Sequence, residues 1–546
     1  MRSNRLLFLL SLAACGAGDG AADSPGTPGG NVGFGGAQDI GEFRGILERG
    51  EVPGPNTLDA NGFFNEHFVA PPAVTCGGPL CLTPGLSVGR DFLTGAHQAT
   101  LQISVNTTID PTEHPRLPMK LSLVVDHSGS MAEDQRLEKV KVGLHALIDE
   151  LHDEDRLSII SFDDTVTIDQ PFTAALDRDR LHLVVDNLQP RGGTNIFDGL
   201  KAGMDALGEL PENEKQNRVI LLSDGLATSG NTSGDAIIEM ATGYVSKGIG
   251  LTTIGVGTSF DVELMRGLAE RGAGNFYFVE DATAATEVFT EEVDVFMSPI
   301  ALDLEIVATT TSGWKMLEVI GSKQWVPGST SGEMRVPAVF FASRTSQQGE
   351  VGRRGGGSMI FVRLDPTSAG IGDVANLTLS YRLPNTEERV TDTVKLNYDR
   401  EPTEALEEPF LSYAEMAERY AMYNLFLGFR LATQMAAESD FNCAIAALTT
   451  MRESAATWNQ AHGADPDIAA DLELADMFIG NLRAKGANAE WALSSCPGAD
   501  PFADNGEWNP DAYNHPMACS SSHANAGWLL ILGAVLLIRI RRRRRS

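Results

Sequence analysis

The spacing of apolar and polar positions changes character along the chain, and its central part predicts an alternating α/β fold. Four short runs are almost continuously apolar, at residues 121–126, 157–162, 218–224 and 250–256. Strands that are covered on both faces by helices show this pattern. The stretches between them repeat apolar residues at helical spacing, as Leu137, Val140 and Leu144 do. Strand and helix in alternation predict a doubly wound parallel sheet, a Rossmann-like α/β domain, over residues 118–297.

The segments on either side of this region have other periods. Residues 36–117 begin with a helical patch around Phe43 and continue into the two-residue alternation of 99–105, which predicts a strand with one wet face. The same alternation returns over 298–400 and predicts an antiparallel β-sandwich. Residues 401–496 predict a helical domain, in which the aromatic stripe from Tyr413 to Leu427 is core, and 497–526 are linker.

The amino terminus has the features of a secretory signal. Two arginines precede the apolar run of residues 6–14, which is too short to span a bilayer. The tetrapeptide at 12–15 resembles the lipobox of bacterial lipoproteins, which implies that residues 1–14 are removed and Cys15 is acylated. An ordinary cleaved signal with an incidental Cys15 is the alternative. Residues 15–35 are rich in Gly, Ser, Pro and Asp, and we expect them to form a flexible tether.

The carboxyl terminus predicts a second attachment to a membrane. In residues 527–546 a short apolar segment precedes six arginines, which favours an anchor whose end stays in the cytoplasm. The segment also resembles the C-terminal sorting tags of myxobacteria, and Cys519 would then be the processing site. With either anchor, or both, the body of the chain is expected in the cell envelope outside the cytoplasm, at the outer membrane or cell surface.

The remaining four cysteines suit an oxidising compartment. Cys76 and Cys81 bracket a short turn, and Cys443 could pair with Cys496 across the helical domain, so we predict two possible disulfides. A zinc site made from all four is less favoured, because the pairs are distant in sequence and neither has the spacing of a zinc motif.

Composition and charge narrow the classes of partner. The chain has 546 residues, 42% of them hydrophobic and 21% charged, which is enough to bury several cores. The terminal segments hold eight of the 42 basic residues and no acidic ones, so 34 bases face 73 acids in the rest. The chain between the terminal segments is therefore strongly acidic and repels phosphate backbones, which argues against nucleic acid as a partner.

Candidate chemistry lies where the apolar runs end. Asp126 follows the first run and begins the sequence Asp-His-Ser-Gly-Ser, which includes Ser128 and Ser130, and Asp224 closes the third run. Thr194 lies between them, after two glycines. Ligands gather beyond the carboxyl ends of parallel strands. Two carboxylates and three hydroxyls predict an oxygen-only site for a hard divalent cation, Mg²⁺ first, with Mn²⁺ or Ca²⁺ as alternatives. The opposing interpretation, that the aspartates are mere turn residues, requires five coincidences.

These five residues, in this order and spacing, resemble the metal-ion-dependent adhesion site (MIDAS) of von Willebrand factor type A (VWA) domains. The resemblance implies that Ser128, Ser130 and Thr194 bind the metal directly, while Asp126 and Asp224 act mostly through water. A carboxylate from a partner protein would complete the coordination shell.

The flanking segments extend the resemblance. Residues 36–68 look like the short domain that precedes the VWA domain in a family of bacterial envelope lipoproteins, and residues 412–458 resemble that family's C-terminal domain more weakly. Strands on both sides of the VWA domain, as in integrin-like and inter-alpha-inhibitor-like relatives, imply that it is inserted into, or packed against, one β unit.

Enzymatic function is not predicted. The chain has no nucleophile elbow, zinc-protease motif, phosphate-binding loop or dinucleotide fingerprint, and no small-molecule substrate is expected. His127 beside Ser128 could suggest a base and a nucleophile, but adjacent residues after a strand point apart. We therefore predict an anchored envelope protein that binds a protein ligand through the metal. The alternative is an assembly or chaperone factor of an envelope complex, in which the metal is mainly structural.

Overall fold

The computed structural model describes residues 30–502 apart from several short segments. Those segments are 71, 73–75, 111–117, 209–215, 225, 246, 258–259, 280–281, 291–298, 343–355, 367–370, 385, 387, 401–407 and 488–490. The predicted signal sequence, Cys15, Cys519 and the C-terminal segment of 527–546 lie outside the described residues, as does the predicted linker from residue 503 onward.

The amino-terminal part contains five strands and two short helices before the α/β region begins. They are β1 (Gly30–Gly33), β2 (Gly36–Ala37), α1 (Gly41–Glu48), α2 (Ala60–Asn65), β3 (Leu80–Leu82), β4 (Gly85–Arg90) and β5 (His97–Thr107).

The central part alternates strand and helix as the sequence predicts. Its elements are β6 (Met119–Asp126), α3 (Arg136–Glu150), β7 (Arg156–Phe162), β8 (Val166–Ala174), α4 (Arg178–Asp186), α5 (Ile196–Leu207), β9 (Gln216–Ser223), α6 (Gly234–Val245), β10 (Ile249–Val256), α7 (Val262–Arg271), β11 (Asn275–Val279) and α8 (Ala282–Thr290).

The carboxyl-terminal part consists of strands followed by three long helices. They are β12 (Ala301–Thr310), β13 (Lys315–Ile320), β14 (Trp325–Val326), β15 (Ser331–Phe341), β16 (Met359–Asp365), β17 (Gly372–Arg382), β18 (Arg389–Tyr398), β19 (Phe410–Leu411), α9 (Met416–Ala437), α10 (Phe441–Ala461) and α11 (Pro466–Ala484).

The central sheet has seven strands in the order β2-β11-β10-β9-β6-β7-β8. The α/β prediction is confirmed, with one correction: the sheet is mixed, because the edge strand β8 runs antiparallel to β7. Two separate apolar cores contain helix residues from the two faces of the sheet, one with Leu144 of α3 and the other with Leu200 of α5. Helices on both faces explain why the strands are apolar at nearly every position.

The second sheet is large and antiparallel, and the α/β region is inserted into it. Along its main path the order is β13-β16-β5-β1-β15-β12-β17-β18. Strand β5 precedes the α/β region and pairs with β16, which follows it. Residues from both halves of the sheet, such as Leu101 and Leu377, belong to one apolar core. The inserted arrangement expected from the flanking strands is therefore confirmed.

The amino-terminal boundary differs from the prediction of a tether over 15–35. Strand β1 pairs with β5 on one side and with β15 on the other, and Val32 is fully buried. A few residues later β2 joins the central sheet beside β11. The glycine-rich composition suggested flexibility, but backbone hydrogen bonds on both sides order this segment, and composition alone does not reveal such pairing.

The three long helices share a core with α1 and α2. Phe43 of α1 and Phe63 of α2 both make edge-on or near edge-on contacts with Phe429 of α9. The predicted aromatic stripe is core from Met416 to Leu427, where Tyr420 and Tyr423 are buried, whereas Tyr413 at its start is half-buried.

The structure confirms both predicted disulfides. Cys443 is bonded to Cys496, with their Cα atoms 5.7 Å apart, and Cys76 to Cys81, with a Cα separation of 5.5 Å. Among the described residues, no helix combines the length and the apolar character that crossing a membrane requires.

Candidate functional site

The two aspartates of the predicted site lie side by side at the carboxyl edge of the central sheet. Strand β6 ends at Asp126, and β9 ends at Ser223, directly before Asp224. The two strands are neighbours in register, with Val125 opposite Leu222. Both carboxylates are fully buried, so each depends on hydrogen bonds or charges close by.

A chain of hydrogen bonds joins four of the five predicted residues. The backbone N–H of Ser128 donates to Asp126 Oδ1 at 2.8 Å, which turns the loop back over the end of β6. The hydroxyls of Ser128 and Ser130 lie 3.0 Å apart, and the Ser130 hydroxyl donates to Asp224 Oδ1 at 2.8 Å. Loops from two strands therefore meet at the Ser130 hydroxyl.

Thr194 reaches the same edge through backbone contacts of its own loop. The N–H of Gly129 donates to the carbonyl of Gly192 at 3.1 Å, which holds the glycine loop against the serine loop. Gly192 has a φ of +68°, a conformation that favours glycine. The Thr194 N–H donates to Thr228 Oγ1 at 2.9 Å, in the loop after Asp224, and Thr194 itself is buried. All five predicted residues thus lie on three adjoining loops.

Asn195 and Asp198 support this loop locally. The Asn195 side chain caps α5 by accepting from the Asp198 N–H at 3.2 Å, and its amide donates to the Asp198 carboxylate at 2.8 Å. Capping satisfies a backbone donor that the first helical turn leaves open. The start of α5, which follows Thr194 directly, is therefore fixed.

The surroundings of Asp126 both raise and lower the pKa of its carboxyl group. The pKa of Asp126 is raised to about 6: burial raises it most, hydrogen bonds from Ser223 and Ser128 lower it, and the nearby charge of Asp224 adds a smaller rise. The Ser223 hydroxyl donates to Asp126 Oδ2 at 2.6 Å. Two buried carboxylates that repel each other favour a cation nearby.

Sequence reasoning missed a buried arginine beside the site. Arg136, the first residue of α3, donates from Nη1 to Asp224 Oδ2 at 2.8 Å and is 4% exposed. Asp224 therefore has one oxygen on a guanidinium and the other on the Ser130 hydroxyl. Little in the sequence signalled this contact, because Arg136 looks like an ordinary residue at a helix start.

A third acidic loop was also missed, although a signal for it existed. Strand β7 ends at Phe162 and is followed by Asp163 and Asp164, just as the other two strands end in acids. Asp164 Oδ2 accepts from the Gly193 N–H at 3.0 Å, and its Oδ1 accepts from the Ser229 hydroxyl at 2.6 Å. Asp164 therefore ties the glycine loop to the loop that follows Asp224.

The side chains of His127 and Ser128 point to different partners, as the sequence predicts. His127 Nδ1 lies 3.0 Å from the carbonyl of Gln189, whereas the Ser128 hydroxyl contacts Ser130. Burial, followed by the charge of Arg191, lowers the pKa of His127. Within the described part of the chain, no hydrogen bond joins the Ser128 hydroxyl to an imidazole.

Comparison with known proteins identifies the central region. The family model of the von Willebrand factor type A domain matches residues 121–291. These residues form a VWA domain. The match covers the whole site, from the strand that ends at Asp126 to the helix after β11, and it leaves the large antiparallel sheet and the long helices outside.

The matches to known relatives each cover about a third of the chain. A protein of Synechocystis sp. with no assigned function is 30% identical over 194 residues, which are 36% of this chain and 45% of that protein. Rat inter-alpha-trypsin inhibitor heavy chain H3 is 27% identical over 209 residues, 36% of this chain and 23% of its own length. The chain thus spans less than half the length of these relatives.

A solved structure is similar over a longer stretch. The structure described as von Willebrand factor type A from Catenulispora acidiphila covers 73% of this chain and 96% of its own, with a TM-score of 0.48 and 14% identity. VWA domains typically act as protein-interaction or adhesion modules and commonly bind a divalent metal at the MIDAS. The name of the rat relative denotes the heavy chain of an inhibitor.

Proposed function

We propose that this chain is an anchored cell-envelope protein whose VWA domain binds a carboxylate of a protein partner through a divalent metal, and that it is not an enzyme. The observation that carries the proposal is the Ser130 hydroxyl, which lies within hydrogen-bond distance of both Ser128 Oγ and Asp224 Oδ1. Hydroxyl and carboxylate oxygens from two strand ends converge there, and such donors suit a hard cation.

The donor set fits Mg²⁺, with Mn²⁺ and Ca²⁺ as alternatives. Ser128, Ser130 and Thr194 would hold the ion directly, and Asp126 and Asp224 would act mostly through water. The raised pKa of Asp126 supports this assignment, because burial leaves its charge poorly solvated and a cation would stabilise that charge, along with relieving the smaller repulsion from Asp224. Hydroxyl ligands are neutral, so the bound ion keeps enough positive charge to attract one further carboxylate.

The chain's own residues prepare the site for a partner. Arg136 holds Asp224 from the interior side, so that its other oxygen stays on the Ser130 hydroxyl. Asp164 accepts from the Gly193 N–H and Thr228 from the Thr194 N–H, so the backbone leading into Thr194 is fixed. Since these contacts already order the three loops, little conformational entropy remains to be lost when a partner binds.

The test uses the full chain and envelope extract, with Mg²⁺ or with EDTA. A partner captured in Mg²⁺ is then titrated against the wild type and against Thr194→Ala, which removes one hydroxyl ligand. We expect Thr194→Ala and EDTA each to weaken binding by at least about tenfold. Thr242→Ala, which removes an exposed hydroxyl on α6, is the matched control and should bind as the wild type does.

Two outcomes would contradict the proposal. Binding that survives EDTA would rule out a bridging metal. A large Mg²⁺-dependent rise in melting temperature, with partner binding unchanged in Thr194→Ala, would favour the assembly role with a structural ion. Thermal unfolding of each variant must accompany the titration, because a misfolded variant would also lose binding.

The envelope location is part of the proposal and has its own test. It is supported by the signal-like residues 1–14, by Cys15 and by the arginine-rich end of 527–546. We expect the chain to fractionate with membranes, and Cys15→Ser to lose the mass of an attached lipid. If the protein stays membrane-bound after residues 527–546 are removed, the lipid at Cys15 is the anchor. If Cys15→Ser becomes soluble although residues 527–546 are present, a persistent C-terminal anchor is contradicted.

A further inference from the structure

Two histidines form a close pair on the surface of the VWA domain, away from the adhesion site. His145 of α3 and His182 of α4 face each other with their Nδ1 atoms 2.7 Å apart. Their ring centroids are 4.9 Å apart and the ring planes are inclined by 36°. The side chains are 30% and 27% exposed, so solvent and ions reach them.

A carboxylate stands behind each imidazole. His145 Nε2 lies 3.0 Å from Asp186 Oδ1, and His182 Nε2 lies 3.0 Å from Asp149 Oδ1. The two helices run in opposite directions, which is why each histidine meets the acid of the other helix. The result is a symmetric row of acid, imidazole, imidazole and acid.

Counting protons along this row leaves a position for a cation. An ionised carboxylate only accepts hydrogen bonds, so each Nε2 must carry a hydrogen to interact favourably with its aspartate. A neutral imidazole then has a lone pair on Nδ1. Two such lone pairs at 2.7 Å repel each other unless something positive lies between them. Only a shared proton or a metal ion satisfies all four groups.

We propose that His145 and His182 bind a transition-metal dication, Zn²⁺ foremost, through their Nδ1 atoms. Imidazole nitrogen suits Zn²⁺ and Cu²⁺, and Mg²⁺ prefers oxygen. Metal-bound histidines characteristically donate their second N–H to a carboxylate, which is the role that Asp186 and Asp149 already have. With Zn–N bonds of about 2.0–2.1 Å and a tetrahedral angle, the nitrogens would separate to about 3.3 Å. Partly exposed side chains can make so small a movement.

The site offers two protein ligands and leaves the remaining positions to water or to a donor from outside. Throughout the described residues, no group of three or more His, Cys, Asp or Glu side chains is arranged to hold a metal, so a closed structural zinc site is not expected. Acidic residues follow directly at the end of α3, where Glu150, Asp153 and Glu154 lie close in sequence. Their charge raises the local concentration of dications.

This site is independent of the adhesion site. His145 lies nine residues after Arg136 in the same helix, which is about 14 Å along its axis. One site offers nitrogen ligands and the other offers oxygen ligands, so they select different metals. Failure of one proposal therefore leaves the other standing.

The test uses Cu²⁺ as a paramagnetic probe and Zn²⁺ in calorimetry, on the full chain with excess Mg²⁺ present. In the electron paramagnetic resonance spectrum of bound Cu²⁺ we expect hyperfine coupling to two imidazole nitrogens. His145→Gln and His182→Gln should each abolish the two-nitrogen signal and weaken Zn²⁺ binding by at least about tenfold. His152→Gln, an exposed histidine just beyond α3, is the matched control and should leave both signals unchanged.

The inference is overturned if Cu²⁺ shows no imidazole coupling in the wild type, or if the coupling persists in both variants. It is equally overturned if Zn²⁺ leaves the nuclear magnetic resonance signals of the two rings unmoved, since the pair would then share only a proton. Because these side chains are partly exposed, we expect both variants to fold, and circular dichroism checks this.

Discussion

Replacing Asp126 with asparagine tests the electrostatics of the candidate metal site directly. The change keeps the shape of the side chain and one oxygen to accept from the Ser128 N–H, it places an amide donor opposite the Ser223 hydroxyl, and it removes the charge. Asp126 is fully buried, and burial raises its pKa from 3.8 to about 6. A carboxyl whose pKa is raised by folding contributes stability below its unfolded pKa, and that contribution is lost as the pH rises through the folded value. Near neutral pH the ionised Asp126 is therefore a cost to the metal-free fold.

The magnitude follows from the size of the shift. Each pKa unit corresponds to about 1.4 kcal/mol, so a rise from 3.8 to about 6 corresponds to about 3 kcal/mol near pH 7.5. Without metal, Asp126→Asn should be more stable than the wild type by up to this amount, and the difference should shrink as the pH falls below about 6. With Mg²⁺ at a thousandfold excess over its Kd the order should reverse, because such a ligand stabilises the wild type by about 4.1 kcal/mol.

Hydrogen exchange of the β6 and β9 backbone, followed by mass spectrometry, measures the stability difference between the wild type and Asp126→Asn around the site. It does not require the whole chain to unfold in one step. Asp153→Asn, which removes the same charge from an exposed turn, is the control and should change little. Equal protection of wild type and Asp126→Asn in EDTA would refute the reasoning, as would a Mg²⁺ effect of the same size in both.

Three further perturbations address the rest of the molecule. Arg136→Met leaves the buried Asp224 charge unpaired and should cost about 3–5 kcal/mol in EDTA and less in Mg²⁺; equal losses in melting experiments would contradict this. Burial raises the pKa of Glu418 from 4.5 to about 8, so the contribution of its protonated form to stability is lost as the pH rises through about 8. Above that pH, urea titrations should give Glu418→Gln a free energy of unfolding roughly a few kcal/mol higher than that of the wild type. A disulfide stabilises the fold by constraining the unfolded chain, and a longer closed loop constrains it more. Replacing Cys443 and Cys496 with serine opens a loop of 53 residues and should cost about 4 kcal/mol, whereas opening the other disulfide, across 5 residues, should cost about 2 kcal/mol. The reverse order in denaturant titrations would contradict this argument.

The central fold was predictable because burial on both faces leaves a distinct pattern. The four apolar runs correspond to β6, β7, β9 and β10. Strand β8 was not predicted, since residues 166–174 are nearly all exposed or half-buried, show no two-residue alternation and include a proline. Strands β1 and β2 were also missed, because two to four residues rich in glycine have no period to detect, and their order comes from partners 75 to 309 residues away in sequence.

The site was predictable as far as its motif extends. Asp126, Ser128 and Ser130 follow one another, and sheet topology brings Asp224 beside them. The motif does not contain the residues that hold the site in place. Arg136 and Asp164 do so through hydrogen bonds to Asp224 and Gly193, which only the folded chain brings within reach. The histidine pair was missed for the same reason, because His145 and His182 are 37 residues apart and belong to different helices.

The two sheets are connected by four separate passages of backbone, between β1 and β2, between β2 and β3, between β5 and β6, and between α8 and β12. A tensile load applied at the adhesion loops would consequently be divided among several covalent paths and would not concentrate on one linker. A VWA domain connected in this way resists rotation relative to the antiparallel sheet when it is pulled. Force received at Thr194 would travel into the paired strands of the antiparallel sheet, where many hydrogen bonds must break together before the chain extends.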